Sequence, residues 1–139
     1  DILGLSMVEH VRVRTKMSSV IDDVIVATCD QEIIEEVERS GGKAVLTSSL
    51  HTRCTDRIAE AAENLDADII VNVQGDEPLL YPEMFESLIA PLVEDDQLVC
   101  SNMVSIIHSE EENIDHNVVT EFQGICKNFK KHKTSCKTL

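Results

Sequence analysis

No two cysteines in this chain are spaced as a CxxC pair. The five present (Cys29, Cys54, Cys100, Cys126 and Cys136) are odd in number and widely scattered. That pattern argues against a disulfide framework, and the thiols are expected to be reduced, as in a cytoplasmic protein. No apolar run approaches the roughly 18 residues of a membrane span. The start, DILGLSMVEH, lacks the charged n-region and following apolar stretch of an export leader. Positive charge is also scarce: residues 1–124 hold 7 Lys and Arg against 26 Asp and Glu, a formal −19. Residues 125–139 hold 5 Lys and no acid, which brings the whole chain to −14. An acidic body argues against sequence-independent nucleic-acid binding, which depends on neutralising phosphates with Lys and Arg. It leaves room for a small anion bridged by a metal ion.

What is present fits one globular domain. The chain has 139 residues, 42% of them apolar, within the usual size range for a single core. Residues 71–82, VNVQGDEPLLYP, are the most informative stretch. Ile69, Ile70, Val71 and Val73 read as a strand buried on both faces, as in a parallel sheet covered by helices. Gly75 breaks that strand and Asp76 follows. In open α/β sheets ligands bind beyond the carboxyl ends of the strands, so Asp76 is placed to hold Mg²⁺ against a nucleotide's phosphates. The alternative is a solvated acidic turn, because Gly, Asp and Pro are also ordinary turn residues.

The rest of the chain alternates helix and strand. Ser6 caps a helix over 7–17, with Glu9 completing a capping box and Met7, Val8 and Val11 as its apolar stripe. Residues 23–28, DVIVAT, read as a buried strand. Asp30 caps a second helix with Ile33, Ile34 and Val37 on one face, closed by Gly41-Gly42 as a left-handed C-cap. Lys43 to Thr47 form a short strand, and after a polar loop a helix starts at Thr55 or Asp56, facing Ile58, Ala61, Ala62 and Leu65 inward. Pro82 suits the first turn of a further helix with Met84, Phe85, Leu88, Ile89 and Leu92 inward. Leu98 to Ile107 reads as a strand. Right-handed crossovers in this order give an α/β fold with a mainly parallel sheet and helices on both faces. From about Gln123 the period fails, so residues 1–122 are expected as the domain and 123–139 as a basic, poorly packed tail. Cys126, His132 and Cys136 match no common zinc spacing.

On VNVQGDEP the chain resembles the 3-deoxy-manno-octulosonate (Kdo) cytidylyltransferases. VIVATCD, the Gly41-Gly42 turn with its strand to Thr47, the His51 loop, the helix after Pro82 and His116-Asn117-Val118-Val119 follow in the family's order. The opening DILGLSMVEHV is similar to the start of the family's first helix, with Ser6 in place of Pro. The likeness spans about residues 1–120. Sialic acid cytidylyltransferases typically carry Pro-Thr-Ser-Pro where this chain has Gly-Asp-Glu-Pro, which favours the Kdo reading over another acidic sugar. The resemblance implies a Rossmann-like, nucleotide-diphospho-sugar transferase-like fold. It implies transfer of CMP from CTP to Kdo with pyrophosphate release, with Asp76 as Mg²⁺ ligand, Gln74 beside sugar or nucleotide, and Glu77 and Pro78 shaping the turn. HTRCTDR, residues 51–57, is similar to the family's base-side loop H-x-S-G-T-D/E-R, which makes His51, Thr55, Asp56 and Arg57 nucleotide-binding. Arg53 and Cys54 replace Ser and Gly there.

Two family segments find no match: an N-terminal basic, glycine-containing phosphate loop, and a C-terminal part with a second metal-binding acid and much of the homodimer interface. The chain is therefore expected to be a fragment with little or no turnover of its own. The contrasting reading is a non-catalytic α/β remnant that self-associates through exposed sheet edges.

Overall fold

The computed structural model describes residues 1–103 and, for the backbone alone, 136–138. Its elements are α1 (Met7–Lys16), β1 (Asp23–Thr28), α2 (Gln31–Arg39), β2 (Lys43–Leu46), α3 (Cys54–Ala62), β3 (Ile69–Val71), α4 (Met84–Glu94) and β4 (Cys136–Thr138). The sheet is parallel throughout, in the order β2-β1-β4-β3.

Alternation along the strands places helices on both faces. In β3, Ile69 and Val71 join Val24 of β1 in a core with Phe85, Leu88, Ile89 and Leu92 of α4. Ile70 and Ile25, the residues between, point the other way and pack with Ala61, Ala62 and Ala67 under α3. A strand covered on both faces needs apolar residues at every position, which is why the run is continuous rather than alternating with polar residues. The doubly covered parallel layer expected from the sequence is present.

Several local expectations hold and others do not. Gly41 takes φ +73° and closes α2 as expected. Gly42 is fixed by crowding, since a Cβ there would lie 2.7 Å from Arg12 Nε and from Val37 Cγ1. Ser6 stands at the N-cap of α1 but makes no side-chain cap hydrogen bond, and its Oγ is buried without a partner among the described residues. Glu9 does not complete a capping box: it turns inward, and both of its oxygens accept from Arg12 at 2.6 and 2.7 Å. Of the expected apolar stripe Val11 is buried and Met7 is exposed, and α1 also buries Glu9, Arg12 and Thr15.

Of the strand expected over Leu98–Ile107, only Met103 makes a β-bridge among the described residues. Residues 98–102 form no strand. Leu98 N–H donates to the Asp95 carbonyl and Ser101 Oγ to the Leu88 carbonyl, tying this stretch back to α4. Residues 104–107 lie outside the described residues, as does the His116–Val119 segment. The place between β1 and β3 is taken by β4, three residues from the stretch expected as a tail.

Candidate functional site

Beyond Val71 the chain leaves the sheet and turns at Gln74, whose carbonyl accepts the Glu77 N–H at 3.3 Å. Gly75 and Asp76 are the two central residues of that turn and both are exposed. Strand geometry ends at Val71, earlier than the expected break at Gly75. The turn is anchored from two sides: Leu80 N–H donates to the Glu77 carbonyl, and Arg14 Nε of α1 donates to the Leu80 carbonyl at 2.9 Å. Asp76 is therefore held at the carboxyl end of the sheet by bonds to its neighbours in sequence and to α1.

Beside this turn lies a mostly apolar groove of about 490 Å³. Val24 to Thr28 of β1 form one wall, and Asn72 to Gly75 form the other. Val8 and Val11 of α1 and Cys54, Arg57 and Ile58 of α3 complete it. At its mouth Gln74 Nε2 donates to Cys54 Sγ at 3.3 Å and to Asn72 Oδ1 at 3.3 Å. The first residue of α3 thus meets the segment after β3. The opening turn of α3 offers N–H groups that intrahelical bonding leaves free, the usual basis for holding an anion or a base edge.

The loop before α3 is tied to that helix. Both oxygens of Glu60 accept the Ser48 N–H, at 3.2 and 3.0 Å, and one of them also meets His51 Nε2. One turn earlier Arg57 Nη1 donates to Thr47 Oγ1 at 2.5 Å. The Ser48 amide first, and the His51 contact next, hold the Glu60 carboxyl below the usual carboxylate range. Arg53 and Asp56 form an exposed ion pair across the first turn of α3 at 3.1 Å.

Glu77 shifts in the opposite sense. Burial, and then the charge of neighbouring Asp76, push its carboxyl above the ordinary value. Two adjacent carboxylates that repel in this way suit a divalent cation. Mg²⁺ keeps several waters and takes phosphate oxygens, so one or two protein carboxylates are enough. A closed cage is a different matter: among the described residues no three His, Cys, Asp or Glu side chains converge.

Of the residues singled out from sequence, Gln74 and Arg57 line the groove and Asp76 stands next to it in the turn. Thr55 and Asp56 belong to the first turn of α3 but do not line it, and His51 is directed to Glu60. Sequence reasoning missed Asn72, Arg12 and Glu60. Asn72 is buried, and a polar residue two places before Gln74 at a strand's end was the available signal. Glu60 lies nine residues after His51 on the Arg57 face of a helix, a spacing that can return a carboxylate to the preceding loop. Among the described side chains, Cys29, Cys54 and Cys100 form no disulfide. No helix among the described residues is long and apolar enough to cross a membrane.

Comparison with known proteins adds relatives to this geometry. Residues 1–128 match the cytidylyltransferase family. The 3-deoxy-manno-octulosonate cytidylyltransferase of Geotalea uraniireducens (strain Rf4) is 44% identical over 132 residues, 93% of this chain and 53% of that protein. The protein of the same name from Geobacter metallireducens is 46% identical over 119 residues, 86% of this chain and 47% of its own length. The chain therefore spans about half the length of the curated relatives it matches. A solved structure of CMP:2-keto-3-deoxy-manno-octonic acid synthetase complexed with CTP is 38% identical and superposes with a TM-score of 0.68, covering 70% of this chain and 41% of that one. With the family matched from residue 1 to residue 128, the chain belongs to the cytidylyltransferases.

Proposed function

We propose that this chain is the CTP-side part of a cytidylyltransferase that moves CMP from CTP to 3-deoxy-manno-octulosonate and releases pyrophosphate. The observation that carries the reading is the meeting, at the carboxyl end of a parallel sheet, of the Gln74–Glu77 turn with the first turn of α3 across one groove. The names of the relatives favour the same chemistry, and the CTP complexed with the similar synthetase favours the nucleotide. In the reaction the sugar's anomeric hydroxyl oxygen attacks the α-phosphorus, its proton leaves to solvent, and the bond to the β-phosphate oxygen breaks.

The protein's contribution is positioning and charge. Asp76 and the adjacent Glu77 are the residues that would hold Mg²⁺, which when bound neutralises triphosphate charge. Gln74 and Asn72 present amide groups to the groove. The α3 amides face the base or a phosphate oxygen, and the Arg57 N–H groups beyond the one given to Thr47 add positive charge.

Calorimetric titration of CTP with and without Mg²⁺ tests the reading. Mg²⁺-dependent binding that Asp76→Asn weakens by roughly tenfold or more is expected, because removing an ionised partner costs more than a neutral hydrogen bond. Binding indifferent to Mg²⁺ and to Asp76→Asn would overturn it. Substrate profiling by pyrophosphate release in a longer version of the protein distinguishes Kdo from sialic acid as acceptor.

A further inference from the structure

We infer that Glu60 is a positioning residue for the nucleotide site: it straps the loop over residues 48–53 to α3 and thereby sets where the first turn of that helix faces the groove. The inference rests on the nucleotide reading above and extends it to a residue that touches no substrate. The loop has little burial of its own, with Leu50 87% exposed. Its shape must come from hydrogen bonds, and α3 supplies them. Arg57 and Glu60 stand one turn apart on the same face. Between them they take Thr47 Oγ1, Ser48 N–H and His51 Nε2. The chain is gripped at three points just before it enters the helix that grips it. At the far end of this closed loop Cys54 meets Gln74.

This arrangement changes the role of His51. Its Nε2 donates to Glu60, so in the neutral ring Nε2 carries the hydrogen and Nδ1 is the acceptor. The imidazole serves the loop whether it is neutral or charged, because Nε2 donates in both forms. The charged groups acting on Glu60 are His51 from the loop and Arg57 on its own helix, and Glu38, Lys43 and Glu63 line the same groove beside β2 as Glu60 does. With its carboxyl held below the ordinary range, the strap stays intact through mild acid and opens only at lower pH. This follows the sign rule for a carboxylate with a lowered folded value: its stabilisation is present above the unfolded value and is lost as pH falls through the folded one.

The test is amide hydrogen exchange at residues 48–53 in the unsubstituted chain and in Glu60→Ala, Glu60→Gln, His51→Ala and the Glu60→Ala/His51→Ala double variant. Ile70 and Val71 serve as core references, and CTP with Mg²⁺ is titrated in parallel. Glu60→Ala is expected to speed loop exchange and weaken CTP by roughly tenfold, the scale of hydrogen bonds to a charged acceptor, with Ile70 and Val71 unchanged. Glu60→Gln keeps an acceptor oxygen and falls between, without the low-pH opening of the parent. Adding His51→Ala to Glu60→Ala changes nothing further. Unaltered loop exchange in Glu60→Ala, or equal acceleration at Ile70 and Val71, overturns the strap, the second because it marks a general stabiliser. If the unsubstituted chain takes no CTP, the nucleotide reading falls, and the exchange comparison still decides the strap.

Discussion

At the scale of single residues, Cys54 and Glu77 both stand in or beside the proposed nucleotide groove. Cys54 begins α3 and fills the mouth of the groove, where its sulfur accepts from Gln74. Cys54→Gly removes the side chain and frees Gln74, so CTP affinity is expected to rise several-fold, read by the same titration. A fall would mean that the sulfur holds Gln74 in its working position. For Glu77 the pH dependence can be worked out from its raised carboxyl. The folded state binds that proton more tightly than the unfolded state, so stability falls as pH rises from the ordinary value through the raised one. Glu77→Gln is expected to stabilise the chain at neutral pH, with the gain vanishing as pH drops to the ordinary carboxylate range, measured as urea midpoints across pH. The position of Asp76 just past a buried strand was legible in the sequence because a β-branched run stopping at Gly-Asp is a local signal, whereas Gln74 was singled out only by the family resemblance. Glu60 was not legible, because its partners lie across a loop whose course no periodicity reports.

At the scale of elements, α1 shows how a helix can be located correctly while its inward face is misjudged. The start near Met7 followed from Ser6 and the apolar spacing. That same spacing suggested Met7 facing inward, and it could not show that Glu9 and Arg12 are the ones buried. Glu9 is 1% exposed and its guanidinium partner nearly as buried. Glu9's hydrogen bond holds Arg12 above its ordinary value, and Arg12 also reaches the Ser40 carbonyl at 3.4 Å, beside the close approach that keeps residue 42 a glycine. The pair thus joins α1 to the turn between α2 and β2. Taking away one member of a buried pair strands the other, at a cost of about 3–5 kcal/mol. Glu9→Ala is expected to lose that much by urea denaturation. Replacing both Glu9 and Arg12 with apolar residues of similar volume is expected to cost far less. Equal losses from the single and double changes would show that the ion pair is itself net stabilising, rather than merely costly to break.

At the scale of the whole molecule, local pattern identified β1, β2 and β3 but not what lies between them. DVIVAT and IIV were readable because burial on both faces leaves a continuous apolar run. Which strand lies between them is a long-range matter, and Cys-Lys-Thr has no pattern of its own to announce it. Yet among the described residues β4 alone joins β1 to β3 in the hydrogen-bonded order, through Asp23 and Val24 on one side and Ile69 to Val71 on the other. The side-chain core still spans the two strands through Val24, Ile69 and Val71 under α4. A chain ending at residue 135 would therefore keep its apolar contacts and lose the ladder. At roughly 1 kcal/mol net for each hydrogen bond, set against the roughly 5–15 kcal/mol that holds an ordinary domain together, the loss is large without being total. The truncated chain is expected to unfold at lower urea and to expose two unpaired strand edges that recruit a second copy. Sedimentation at rising concentration then shows association that the full 139 residues show less of. An unchanged urea midpoint together with a monomer at every concentration would mean that β1 and β3 are held by their helices alone.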